Sequence, residues 1–223
     1  FIPNANNNSH WYAATDETNF GYYNPATAKF FKAYGMTGSI MKKCEYVSFD
    51  QTQYINTGLN LGGSDTVTIN MVCKKSGVNV FGSWRSSNTN VYTLYASSSS
   101  SYVRYYSSLY RQTPIALNKR LTFKMTPTGD YVDATRYHTW TQADFDTATP
   151  CLVGWLNGSS SPHFLGDVYD FVIENRCHLI PVKAGTKYYL FDILRWYLPA
   201  HDGTLDGGAV IDEPIPFPTS IPN

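Results

Sequence analysis

The stretch Thr66-Val67-Thr68-Ile69-Asn70-Met71-Val72 alternates polar and apolar side chains. Successive side chains of a strand point to opposite faces, so this run predicts a half-buried β-strand. Arg120-Leu121-Thr122-Phe123-Lys124-Met125 repeats the pattern. Between them, Val78 to Trp84 follows a Ser-Gly turn, and Asn90 to Ala96 and Ser101 to Tyr106 flank the serine run Ser97 to Ser101. That pair reads as a hairpin with a flexible tip. Pro127-Thr128-Gly129-Asp130 is a turn, and Tyr131-Val132-Asp133 continues the meander. Further strands are expected over Pro150 to Leu156, Gly166 to Glu174 and Tyr188 to Asp192. Turn signals recur about every 8–12 residues, the spacing of an antiparallel sandwich or barrel.

The two ends read differently. In residues 1–43 a polar Asn-rich start is followed by aromatics mixed with breakers, and Ala26 to Tyr34 has the pattern of two helical turns ending at Gly35. This segment is expected to be an irregular connector that docks its aromatics on its own domain or on a partner. Residues 44–200 form the expected β-domain. In 201–223, glycines precede Glu213-Pro214-Ile215-Pro216-Phe217-Pro218, which predicts an extended tail because proline donates no ladder hydrogen bond. The chain opens on Phe1 without a basic-plus-apolar leader, and reads as a processed chain or the ordered part of something longer.

Composition narrows the partners. The formal net charge is zero over 223 residues, and charged residues make up 15% where about a quarter is usual. With no basic field, nucleic acid is not an expected partner. No run approaches 18 consecutive apolar residues, so no membrane insertion is expected. Aromatics reach 16%, with 18 tyrosines. Tyrosine suits both exposed binding faces and strands. Cys44, Cys73, Cys151 and Cys177 form no zinc-ligand spacing. They read as free buried thiols, although four cysteines also allow three disulfide pairings.

Several short motifs in order carry a resemblance. They are Glu45-Tyr46-Val47, Gln53-Tyr54-Ile55-Asn56-Thr57-Gly58, Leu121 through Ala134, Leu152-Val153-Gly154-Trp155-Leu156-Asn157-Gly158, Gly166-Asp167-Val168-Tyr169-Asp170-Phe171, and Leu179-Ile180-Pro181 with Leu190-Phe191-Asp192. Over about residues 44–210 the chain resembles the concanavalin A-like, laminin-G-type domains of gut bacteriophage structural proteins and gut bacterial surface proteins. The resemblance implies an all-β antiparallel jelly-roll sandwich. Val182, where many relatives have Cys, and the extra sequence Arg195 to Ala200 depart from the pattern.

Glycosidases share that fold and need two facing carboxylates, about 5 Å apart in retaining enzymes. The chain has four glutamates, Glu17, Glu45, Glu174 and Glu213, and none begins a strand-spaced acidic pattern. The aspartate pairs Asp130/Asp133, Asp144/Asp146 and Asp167/Asp170 sit at turns or strand starts, where Asp is ordinary. No nucleophile elbow or phosphate-binding glycine loop is present, and no catalytic residue is assigned. Asp65, Asp167 or Asp170 would be the contributors to a calcium site, although no ligand run accompanies them and no cofactor is assigned. Sugar rings stack on aromatic faces beside hydrogen-bonding groups. Trp84, Arg85 and Asn88, where a strand enters a polar loop, together with Tyr95 and Trp155, are the candidate ligand-binding residues. Tyr92, Tyr102, Tyr105 and Tyr106 are further aromatics, some of which strand alternation turns inward. The expectation is a non-enzymatic adhesion or assembly module of a virion, such as a tail or head fibre or a decoration protein. Its partners would be cell-surface glycan or neighbouring subunits in an oligomer, on a virion or extracellular surface. The alternatives are a carbohydrate-binding module of a bacterial surface protein and, behind it, a glycoside hydrolase.

Overall fold

A computed structural model describes residues 10–12, 21–24, 29–32, 42–84, 90–98, 101–114, 116–156, 160, 162–184, 186–195 and 199–214, with the backbone alone for 10–12, 21–24, 29–32, 101, 103–105, 184 and 212–214. Among these residues every helical or extended element is a strand: β1 (His10–Tyr12), β2 (Gly21–Asn24), β3 (Lys29–Lys32), β4 (Lys42–Cys44), β5 (Val47–Asp50), β6 (Tyr54–Gly62), β7 (Val67–Cys73), β8 (Val78–Trp84), β9 (Val91–Ser98), β10 (Ser101–Ser107), β11 (Leu109–Thr113), β12 (Arg120–Thr126), β13 (Gly129–Val132), β14 (Thr135–Thr139), β15 (Asp146–Val153), β16 (Leu165–Ile173), β17 (Cys177–Ala184), β18 (Lys187–Asp192), β19 (Ala200–Asp202), β20 (Asp206–Gly207) and β21 (Val210–Pro214).

Two large antiparallel sheets result, neither closed into a barrel. One runs β11-β10-β9-β8-β15-β6-β19. The other runs β14-β13-β12-β7-β16-β17-β4-β21, with β18 beside β17 and β5 bridging β16 and β20. Strand β7 lies at the centre of the second sheet, paired with β12 through Phe123↔Ile69 and with β16 through Phe171↔Ile69. Its burial alternates strictly, so Val67, Ile69, Met71 and Cys73 form one apolar stripe.

The inner faces meet through aromatic rings. Phe171 on β16 lies 5.6 Å from Phe81 on β8, and Tyr102 on β10 lies 5.0 Å from Phe123 on β12. Much of the aromatic excess is therefore core. Tyr92, Tyr102 and Tyr106 are all buried, and two of their hydroxyls find carbonyl acceptors. Tyr92 donates within reach of the Asp65 and Met125 carbonyls (3.0 and 3.1 Å), and Tyr106 donates to the Gly63 carbonyl at 2.6 Å. A buried polar tip that reaches a carbonyl avoids the desolvation cost of an unmade hydrogen bond.

Tyr102 is the exception. Its hydroxyl is buried without an oxygen or nitrogen partner among the described residues, beside the Cys73 thiol. Burial pushes that thiol up to about 11. Sulfur is a weak acceptor, so the hydroxyl contributes little and costs desolvation. Tyr102→Phe is therefore expected to leave stability unchanged or raise it by about 1 kcal/mol. A urea midpoint clearly lower than wild type would show that the hydroxyl has a partner.

Proline inside central strand β15 requires compensation, since Pro150 offers no N–H to the ladder. Pairing of β15 with β6 is shifted on both sides of Pro150. Side-chain hydroxyls take over there. Thr147 Oγ1 accepts from the Leu61 N–H at 3.0 Å, Thr149 Oγ1 accepts from the Trp84 N–H at 3.0 Å, and Ser83 bonds Thr147. Pro181 in β17 sits where that strand changes partner from β16, last paired at Leu179, to β4, first paired at Val182. The four cysteines are buried free thiols.

The chain ends differ from the sequence expectations. Lys29–Lys32 is a strand and not a helical turn, paired with β2 through Tyr22↔Phe31 and Tyr23↔Phe30. Adjacent aromatics fit a pleated ladder, and cross-strand pairing outweighs a weak helical pattern. With β1 they make a small sheet of their own within the segment expected to be irregular. Beyond residue 200 the chain adds β19 to one sheet and β20 and β21 to the other, so its first part is woven into the sandwich. Residues 215–223, with most of the prolines of the expected tail, lie outside the described residues.

Candidate functional site

The outer faces of the two sheets differ in how their polar groups are used. On the second sheet they are tied to one another. Asn70 Nδ2 donates to Thr122 Oγ1 (3.2 Å), and Arg120 Nε donates to Asn70 Oδ1 (3.0 Å). The Arg120 guanidinium stacks 3.7 Å over the Tyr169 ring, which packs on Tyr46 at 5.3 Å. Asp167 accepts from Ser48 Oγ (2.6 Å) and Lys74 Nζ (2.7 Å). Asp170 accepts from His178 Nε2 at 2.7 Å.

That last bond has a pH signature. The hydrogen bond that His178 donates to Asp170 raises the His178 pKa above its usual 6.5, against the opposing effect of desolvation. The folded state therefore holds this proton more tightly than the unfolded chain. The stabilisation is complete below about pH 6.5 and is lost as pH rises through the higher folded value. The stability advantage of wild type over Asp170→Asn is expected to be largest below pH 6.5 and to shrink above it, followed by urea midpoints across the range. An advantage that grows with pH would reverse the assignment.

On the seven-stranded sheet, β6 places Ile55 in the core, so Tyr54 and Asn56 face outward by alternation. Strand β19 runs alongside and sets Asp202 opposite Tyr54 and Ala200 opposite Asn56. Gly203, at φ +75°, lets the chain pass tightly over Gln53, whose Nε2 donates to the Thr204 carbonyl at 2.8 Å. The residues after β19 are thereby pinned to the start of β6.

Trp155 arrives from the other side. β15 is followed by Gly154, whose φ of +95° and approach to Phe49 and the Gln53 carbonyl leave no room for a side chain. Gly154 N–H donates to Val80 O (2.7 Å), and Phe164 N–H donates back to Gly154 O (2.7 Å), closing the intervening loop. The same loop is laced to the β5–β6 turn. Gln51, itself at φ +78°, donates its N–H to Phe164 O (3.0 Å) and its Nε2 to His163 O (3.3 Å). His163 Nδ1 lies 3.1 Å from Gln51 O, as a donor should. Three half-buried rings converge as a result: Trp155 with His163 at 4.7 Å and 85°, Trp155 with Tyr54 at 5.6 Å and 37°, and Tyr54 with His163 at 5.9 Å.

The residues singled out from the sequence fall at two ends of this sheet. Tyr95 is half-buried opposite Asn79, whose N–H donates to Pro162 O, so it lies at the Trp155 end. Trp84 pairs with Val91 at the far end, its backbone held by Thr149. Arg85 and Asn88 lie outside the described residues. Among the further aromatics, Tyr92, Tyr102 and Tyr106 are core. Asp65, considered for calcium, is held by Arg176 Nη1 at 2.8 Å and by the Gly62 N–H at 2.7 Å. Among the described residues no three His, Cys, Asp or Glu side chains converge as a metal site.

Tyr54, His163, Asn56 and Asp202 were not legible as site residues. Tyr54 and Asn56 carried an outward alternation, but nothing local to the sequence places Asp202 or His163 beside them. No protein-family model matches the chain, and no curated protein is detectably similar to it.

Proposed function

We propose that this chain is a non-enzymatic contact module of the concanavalin A-like, jelly-roll kind. It acts in adhesion or assembly as part of a virion, such as a fibre or decoration protein, and touches cell-surface glycan or neighbouring subunits. The observation that carries the reading is the ring cluster of Tyr54, Trp155 and His163 on the outer face of the seven-stranded sheet, held in place from both sides. Preformed aromatic surface flanked by polar groups suits recognition at low ordering cost.

The non-catalytic part is supported by how the buried aspartates are spent. Asp65, Asp130, Asp167 and Asp192 are each buried against a structural partner: Arg176, His138, Lys74 and Arg195. A carboxylate locked in such a pair is poorly placed to act as an acid or nucleophile on a sugar. The test is incubation of the full chain with a panel of polysaccharides, scoring both retention and new reducing ends. Retention without cleavage is the expected result. Cleavage abolished by an Asp→Asn change would replace this reading with a glycosidase.

A further inference from the structure

Resting on that reading, we infer that the Trp155 end of the seven-stranded sheet is a subsite for a single neutral hexopyranose that presents two adjacent hydroxyls. Trp155 and Tyr54 form the stacking floor, and Asn56 and Asp202 are the hydrogen-bonding rim.

The argument begins with polar groups left over. Asn56 Oδ1 is used locally, accepting from the Gly58 N–H at 2.9 Å. Its Nδ2, the Tyr54 hydroxyl, the Trp155 Nε1–H and the Asp202 carboxylate have no hydrogen-bond partner among the described residues. They belong to adjacent positions: Asp202 is the cross-strand partner of Tyr54, Asn56 lies two residues along the same face, and the Trp155 ring touches Tyr54. Ala200, opposite Asn56, adds only a methyl group there. The other sheet's outer face, by contrast, carries the linked bonds of Thr122, Asn70, Arg120, Asp167 and Asp170 described above.

The chemistry of the set selects the ligand. Aromatic faces carry a negative quadrupole and attract the C–H-bearing face of a pyranose ring. A carboxylate accepts only, so Asp202 is matched by two O–H donors, which neighbouring ring hydroxyls supply. Asn56 Nδ2 and Trp155 Nε1 donate, which suits hydroxyl or ring oxygens. A sugar acid would bring its own carboxylate towards Asp202 and be disfavoured by like charge. The Lys75 ammonium, which reaches the β5–β6 turn, is engaged by Gln51 Oε1 at 2.9 Å.

The experiment titrates the full chain with methyl glucoside, methyl galactoside, methyl mannoside and methyl glucuronide to tens of millimolar, following amide and indole resonances by NMR. At least one neutral glycoside is expected to shift the Trp155 indole signal. The glucuronide should bind about tenfold more weakly than its glucose counterpart. Trp155→Ala and Asp202→Asn should each weaken the neutral sugar about tenfold or more, and Asp202→Asn should narrow the discrimination against glucuronide. Trp155→Phe serves in place of the alanine variant where thermal melts show that variant unfolded. Neutral binding that persists unchanged in both variants overturns the subsite and leaves a glycan-contact role standing elsewhere on the chain. A glucuronide bound as tightly as the glucoside overturns the neutral class. No shift with any glycoside overturns the subsite and, together with failure to retain any polysaccharide, the glycan arm of the proposed function.

Discussion

Replacing Asp192 with Ala is expected to destabilise the sandwich by about 3–5 kcal/mol, the range for removing one member of a buried ion pair. Asp192 is fully buried at the end of β18. Its Oδ1 accepts from three backbone N–H groups, of His178, Leu194 and Arg195, at 3.2, 3.0 and 3.0 Å. Its Oδ2 accepts from Arg195 Nε at 2.6 Å, and the same guanidinium reaches across to the Thr57 carbonyl of the other sheet at 2.8 Å. Truncation strands one cation and three donors together. Arg195 is about a quarter exposed at 25%, so water reaches the guanidinium and the loss should fall towards the lower end. Asp192→Asn keeps an oxygen for the backbone donors and is expected to cost less. Urea unfolding of the three proteins decides the matter. A loss below about 1 kcal/mol for the alanine variant would mean that this network does not hold the turn together.

Phe171→Ala is the second large effect, expected to cost about 3–5 kcal/mol through lost burial and a residual cavity. Phe171 has no exposed surface, stands on β16 opposite Ile69 and Leu179, and meets Phe81 of the facing sheet edge-on at 68°. Aromatic edge contacts add about 0.5–1.5 kcal/mol to what burial alone provides. Phe171→Leu keeps most of the volume and should cost much less. Tyr110→Ala, at a ring 49% exposed on edge strand β11, is the natural control and should stay within about 0.5 kcal/mol of wild type. Equal losses at Phe171 and Tyr110 would contradict the face-to-face packing of the two sheets.

The period-2 stripes of β7 and β12 were plain in the sequence because a strand with one buried face writes its environment into every second residue. Strand β17 was harder to read, since Pro181 argues against a strand until its change of partner at that point is known. Strands β19 to β21 were hidden among glycines and prolines, and are held as strands by partners about 150 residues away along the chain, as Gln53 and Thr204 show. Tyrosines illustrate the limit for the site. Alternation puts Tyr92 and Tyr95, three apart in β9, on opposite faces, but only the structure shows that Tyr92 is buried between the sheets and Tyr95 half-buried on the outer face.

Alternation and turn spacing by themselves determined an all-β antiparallel chain, sandwich or barrel, while the want of net charge narrowed only its partners. Only the tertiary structure decided which aromatics fill the core, and that Tyr54, Trp155, His163 and Asp202 share one corner. Periodicity is a local property carried by neighbouring residues, whereas the corner depends on registers and loop crossings between segments far apart in sequence, which no local pattern encodes.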